Sequence, residues 1–167
     1  DIAPVLIDDS APIFRDQYLS ACLQKAWRDL WGVDAALPED CTDCFNADGG
    51  GLANYLGFLQ EKYPERAFGL ISSTGDSTIR TFFGYGEDNC SNINALLPPS
   101  MDPGTYSAGL YDLRDTVLTE PNFGTYIIDS TTHVWTGNLM YSTTVSGVLL
   151  ADWMAELISG NVTNVQP

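Results

Sequence analysis

Two short apolar runs, "AFGLIS" at 67–72 and "TYII" at 125–128, break straight into polar loops, and that pattern leaves few architectures open. Runs this short and this uninterrupted, bounded by turn residues, are the mark of strands buried on both faces. A third compact run, in "IAPVLIDDSAP", is stopped by Asp8, Asp9, Ser10 and Pro12 and reads as another buried strand ending in a polar turn. Between these runs the apolar spacing changes to that of helices. Leu19, Cys22, Leu23, Ala26, Trp27 and Leu30 define one face of a helix over about 12–31. Leu52, Tyr55, Leu56, Leu59 and Tyr63 form a second stripe, closed by Pro64, with Asp48 placed to cap it. Val145, Val148, Leu149, Trp153, Leu157 and Ile158 line a final helix that stops at Gly160. The stretch 89–103 is rich in Pro, Asn and Ser and reads as a surface excursion leading into a helix or loop around 111–118. Strands separated by helices define an α/β chain, and polar residues just after the strands are the natural functional candidates.

Composition narrows the partners. With 7 Lys and Arg against 22 Asp and Glu, the 167 residues carry a formal charge of -15, which repels phosphate backbones and polyanionic substrates. No nucleic acid is expected as a partner, and neutral or cationic substrates suit the surface better. No run is long enough to span a bilayer and no signal peptide opens the chain, so no membrane partner is expected. The length permits one domain over 1–167 or a piece of a larger one. Cys22, Cys41, Cys44 and Cys90 are read as two disulfides, with Cys22 and Cys90 reaching toward the 41–44 turn. Three full pairings are open. That reading places the chain outside the cytoplasm, secreted or periplasmic. "CTDC" lacks a second such pair, and the one histidine is distant in sequence, so no zinc site is expected. "DCFNADGG" has part of a calcium-loop cadence, but Cys44 and Tyr55 occupy its first and twelfth positions, and an EF-hand fails. Asn161-Val162-Thr163 is an N-glycosylation sequon.

Two residues carry the sharpest chemistry. Asp76 follows the "AFGLIS" strand and His133 follows "TYII". A serine that attacks an ester needs a base to take its proton and a carboxylate to orient that base, and an acid followed by a histidine is the order of the last two members of such a triad. Asp76 also sits in "STGDST", where a side chain bonding to the following turn is the simpler duty. The chain has no G-x-S-x-G turn. "GTYSAG" around Ser107 has no preceding strand, and "GDS" at 75–77 lacks the leucine and the Asp-x-x-His ending of the lipases that carry such a block.

The strings "VLIDDSAPIF", "AFGLISSTGDSTIRTFFGYG", "TYIIDSTTHVWT" and "TTVSGVLLADWMAELI" resemble successive blocks of the pectin-acetylesterase-like and vtpJ-type esterases, a group of α/β-hydrolases. The likeness extends over most of the chain. It implies the carboxy-terminal portion of an α/β-hydrolase sheet with flanking helices, completed by another chain, and the acid and base of a secreted serine esterase. Asp76 falls where that group carries its acid and His133 where it carries its base. Asp9 and Ser10 match the turn that lines the group's pocket. Trp135, with Phe82, Phe83 and Tyr85, is a candidate wall for the acyl or polymer pocket. The group's nucleophilic serine and upstream oxyanion donors fall ahead of Ile2, which implies a partner: the upstream amino-terminal chain of the same precursor. The chemistry calls for an ester substrate and no cofactor. The rival expectation is a secreted carbohydrate-binding or structural module without turnover, which needs Trp27, Trp31, Trp135 or Trp153 exposed on one surface. A two-carboxylate glycosidase is a further alternative, but 22 acidic residues single out no pair.

Overall fold

A computed structural model describes residues 4–167. The expected first strand reached back to Ile2, which lies outside the described residues. Three strands, β1 (Leu6–Asp9), β2 (Phe68–Ser73) and β3 (Phe123–Ile128), form a parallel sheet in the order β1-β2-β3. Leu6 pairs with Phe68 and Asp9 with Ile71, while β2 and β3 run in register from Phe68–Phe123 to Ser73–Ile128. All six residues of β2 and of β3 are buried, which is why both read as continuous apolar runs rather than alternating ones.

Parallel strands need crossovers, and here the crossover helices pack on one face of the sheet, while the helix that follows β3 packs on the other. Phe68, Leu70, Phe123 and Ile127 point to one face, where they meet Leu23 of α1 (Ala21–Trp31) and Tyr106, Leu110 and Leu113 of the longest helix. Ile71, Tyr126 and Ile128 point to the other, against Leu150, Trp153 and Leu157 of the last helix, α6 (Leu150–Ile158). The remaining helices are α2 (Asn54–Lys62), α3 (Ser77–Phe83), α4 (Glu87–Cys90) and α5 (Pro103–Thr116). Of these, α4 is a single turn kinked by the left-handed backbone of Asp88 and Asn89. Gly69 and Gly124 are registered neighbours beneath α6. A Cβ on Gly69 would lie 2.5 Å from Leu157, and one on Gly124 would lie 2.8 Å from the Thr163 carbonyl. Two strand glycines thus let the last helix sit directly on the sheet.

Several boundaries depart from the sequence reading. Helix α1 starts at Ala21, not near Pro12, because Asp16 is engaged outside the helix, accepting from Gln24, Asn46 and the Gly51 amide. Asp48 does not cap α2; its carboxylate accepts the Gly50 amide two residues on, and α2 starts after Ala53 without a side-chain cap. Helix α5 begins earlier than expected, at Pro103, because Asp102 caps it by accepting the Thr105 amide. The final helix is shorter than its stripe. Val145 and Val148 belong instead to a small hairpin, β4 (Thr144–Val145) and β5 (Val148–Leu149), turned by Ser146 and Gly147 at positive φ.

Two disulfides are present, Cys22–Cys90 and Cys41–Cys44. The expectation that Cys22 and Cys90 reach toward the 41–44 turn is corrected. Cys22 lies on α1 and Cys90 on α4, elements packed against each other, while Cys41 and Cys44 lie within reach across one tight turn. No helix among the described residues is long and apolar enough to cross a membrane.

The outer edge of β3 is covered by the carboxy-terminal tail. The Ile127 amide donates to the Val165 carbonyl, the Val165 amide to the Thr125 carbonyl, and Asn164 accepts from the Thr125 amide. The outer edge of β1 pairs with no strand among the described residues, and Leu6 on it is 50% exposed.

Closing 68 residues of chain, Cys22–Cys90 is the cross-link with weight in chain entropy, and the three-residue Cys41–Cys44 link has little. Replacing both Cys22 and Cys90 by alanine should cost about 4 kcal/mol. Thermal denaturation should show Tm falling by roughly 10 °C, against a far smaller fall for the Cys41→Ala/Cys44→Ala pair. Equal effects would remove the ranking.

Candidate active site

Asp76 is the residue just before α3, at the end of the loop that leaves the carboxyl end of β2. Its side chain is fully buried, which obliges its oxygens to find donors. One oxygen, Oδ1, accepts the amides of Thr78 and Ile79 at 2.9 and 3.0 Å, so the carboxylate caps the helix. The other, Oδ2, lies 2.9 Å from Nδ1 of His133. The turn-forming duty and the pairing with histidine are therefore not rivals. The carboxylate does both, one oxygen for each.

His133 lies in irregular chain after β3, and its side chain is 33% exposed. The loop that carries it is fastened along β2 and the β2–α3 turn. The amides of Thr74, Gly75 and Ser77 donate to the carbonyls of Ile128, Ser130 and Thr131. The hydroxyls of Ser73 and Ser77 donate to the carbonyls of Thr132 and Thr131 at 2.6 and 3.1 Å, and Thr74 reaches the Asp129 carboxylate. Two loops separated by 57 positions thus form one connected rim. With Nδ1 engaged by the carboxylate, the other ring nitrogen, Nε2, is the one left to exchange a proton with a group outside the pair.

Of the other expected site residues, Asp9 ends β1 and accepts the amides of Trp135 and Thr136 at 3.0 and 2.7 Å and the Thr136 hydroxyl. Ser10 is buried with φ 74°; its amide donates to the Ile71 carbonyl and its hydroxyl to Asp9. Trp135 is 7% exposed, and its indole N–H donates to the Ser73 hydroxyl at 3.1 Å. The end of β1 brings Asp9 and Ser10 up to the loop that carries His133 and Trp135, and all three residues form hydrogen bonds within the chain. Phe83 packs in the core against Phe14 and Tyr106, and Tyr85 packs at its edge, whereas Phe82 is 52% exposed. Ser107 stands in the interior of α5, away from any strand-to-helix turn, and Ser77 is the first residue of α3. Cys41 and Cys44 bond to each other, and among the described residues no three His, Cys, Asp or Glu side chains gather as metal ligands.

The sequence reading missed Ser73 and Thr136. Nothing but their positions, one at the end of a buried strand and one just past the histidine, could have singled them out. Beneath the rim, burial pushes the phenol of Tyr106 well above its ordinary range, and the negative charges of Asp76 and Asp8 add to that. Burial also raises the carboxyl of Asp8, with neighbouring Asp9 adding in the same direction.

The fold is a mixed α/β one built on a parallel sheet, and the pair stands at the carboxyl ends of its strands, where ligands bind in open α/β sheets. No family model matches the chain, and no similar curated protein or solved structure is found.

The two duties of Asp76 separate by mutation. Asp76→Asn keeps an acceptor for the α3 amides and should be the more stable of the two variants. Asp76→Ala loses the cap and should cost about 1 kcal/mol. Equal stability of the two variants in thermal denaturation would contradict the capping role.

Proposed function

We propose that this chain supplies the acid and the base of a serine esterase that hydrolyses neutral carboxylic esters through an acyl-enzyme. The observation that carries the reading is the 2.9 Å contact between the buried Asp76 carboxylate and Nδ1 of His133. A carboxylate on Nδ1 holds the tautomer in which Nε2 is a base, and it stabilises the imidazolium once Nε2 takes a proton. In the proposed reaction a serine hydroxyl loses its proton to Nε2 as its oxygen bonds to the acyl carbon. The imidazolium then returns that proton to the departing alcohol as the ester C–O bond breaks. Water, deprotonated by the same nitrogen, attacks the acyl-serine, and as the second tetrahedral intermediate collapses the imidazolium gives that proton to the departing serine oxygen, releasing the acid and the free serine hydroxyl.

The serine and the oxyanion donors belong, in this proposal, to the amino-terminal part of the same precursor, docked along the open edge of β1. The half-exposed Leu6 and an outer side of β1 that pairs with no strand among the described residues support a docked strand there. The resemblance to pectin-acetylesterase-like esterases supports the same division of labour, and the disulfides are in keeping with secretion. The charge of -15 favours a neutral ester over a polyanionic one. Of the four tryptophans on which a carbohydrate-binding module would draw, Trp153 and Trp135 are 1% and 7% exposed, whereas Trp27 stacks on the 65% exposed Trp31 along α1.

In the assembled protein, His133→Ala should lower kcat for ester hydrolysis by at least ~1,000-fold and leave the circular dichroism spectrum unchanged. A fluorophosphonate probe should label the serine-bearing chain that accompanies this one. Undiminished turnover in the variant, or a folded protein that hydrolyses esters without taking up the probe, would overturn the assignment.

A further inference from the structure

The histidine loop is held at two points that flank the imidazole. Just before it, the Thr132 carbonyl accepts the Ser73 hydroxyl at 2.6 Å. Just after it, the amides of Trp135 and Thr136 converge on the Asp9 carboxylate. Only His133 and Val134 lie between the two fastenings. The fastenings are also linked, since the Ser73 hydroxyl that donates to Thr132 accepts the indole N–H of Trp135 at 3.1 Å. Asp9 can do this because strand alternation turns it to the sheet face where Ile71 and Trp135 lie, while Asp8 points to the other face. Its carboxylate accepts from four donors: Ser10 Oγ at 3.0 Å, the Trp135 amide, the Thr136 amide, and Thr136 Oγ1 at 2.6 Å. A carboxylate so occupied has no spare lone pair aimed at a substrate. Its charge is spent on holding two consecutive amides.

We infer that Asp9 is the positioning residue of His133: its grip on Trp135 and Thr136 fixes the loop path on which the contact between the imidazole and Asp76 depends. Asp76 is held independently by the first turn of α3. The histidine side of the pair has no helix or strand of its own, and Asp9 takes the place of one. The loop then spans all three strand ends, leaving β3, crossing β2 through Ser73 and finishing on β1 through Asp9.

The role in turnover rests on the esterase reading, but the geometric claim does not, and the experiment separates them. The chain has a single histidine, so its imidazole N–H proton can be followed in histidine-labelled protein by NMR without ambiguity of assignment within the chain. The native protein should show a downfield Nδ1–H resonance from the bond to Asp76, absent in Asp76→Asn. In Asp9→Asn, which leaves one acceptor oxygen where there were two, that resonance should broaden or move toward the Asp76→Asn spectrum. Asp129→Asn removes the same charge from the same loop and should leave it in place. Thr136→Val, which deletes one of the four donors and no buried group, should give a smaller shift in the same direction, and Thr136→Ser should restore the native signal. In ester hydrolysis Asp9→Asn should lower kcat about 10- to 100-fold with KM unchanged. A native resonance in folded Asp9→Asn, or an equal change in Asp129→Asn, overturns the inference. Should Asp9→Asn not fold, an unshifted resonance in Thr136→Val does the same. A protein with no esterase activity but with the predicted shifts would refute the esterase reading and leave the positioning role standing.

Discussion

A carboxylate sealed from water must have its lone pairs answered, and the way Asp76 meets that requirement organises the rest of the molecule. One oxygen accepts the first amides of α3 and the other meets the imidazole of His133. Neither partner alone would satisfy a fully buried carboxylate. The helix therefore has to begin where it does, and the β3 loop has to come back over the end of β2. The same two demands explain the dense stitching between the loops, where the amides of Thr74, Gly75 and Ser77 reach the carbonyls of Ile128, Ser130 and Thr131. Such a network resists small displacements of the ring, which is what proton transfer over hydrogen-bond distance requires.

How much of this was legible in the sequence follows from the range of the interactions involved. β2 and β3 could be read because burial on both faces leaves an apolar run that needs no knowledge of the neighbours. The loops after them followed from those strands, and the approach of Asp76 to His133 with them. Features set by distant partners left no local trace. The start of α1 depends on Asp16 meeting Asn46 and Gly51, and the disulfide pairing depends on α1 lying against α4. Asp48 looked like a cap because its residue type suits one, but the glycines that follow let it fold back on the Gly50 amide. The hairpin at 144–149 was hidden inside a helical stripe because Val145 and Val148 are apolar in either structure; Ser146-Gly147 was the local signal that could have separated them.

Asp9 is an instance of the same limit at the site itself. Its position at the end of an apolar run marked it as functional ground, and a pocket-lining duty followed from resemblance alone. Its partners are 126 and 127 residues away in sequence, so no spacing rule could have revealed that the carboxylate holds backbone amides. Trp135 is similar. An aromatic residue two positions after the histidine invites reading as a pocket wall, yet its ring lies in the core formed by Ile71, Tyr126 and Leu150, and its one side-chain polar atom serves Ser73. Both residues act on the path of the loop that carries the imidazole.

The two edges of the sheet tell different stories, and the difference bears on where a nucleophile can stand. At β3 the tail from Asn164 to Val165 takes up the amides and carbonyls of the edge. At β1 no strand among the described residues takes up the corresponding row, beside the half-exposed Leu6, an arrangement that parallel sheets ordinarily avoid. The histidine loop runs toward that open side, since its last fastening is to Asp9 on β1 itself. A parallel strand added there would end level with Asp9, and a residue in the turn that follows it would emerge beside the histidine loop. The proposed serine needs no long excursion to reach Nε2. The geometry of the sheet places its three strand ends at one rim, the rim at which the proposal puts that serine.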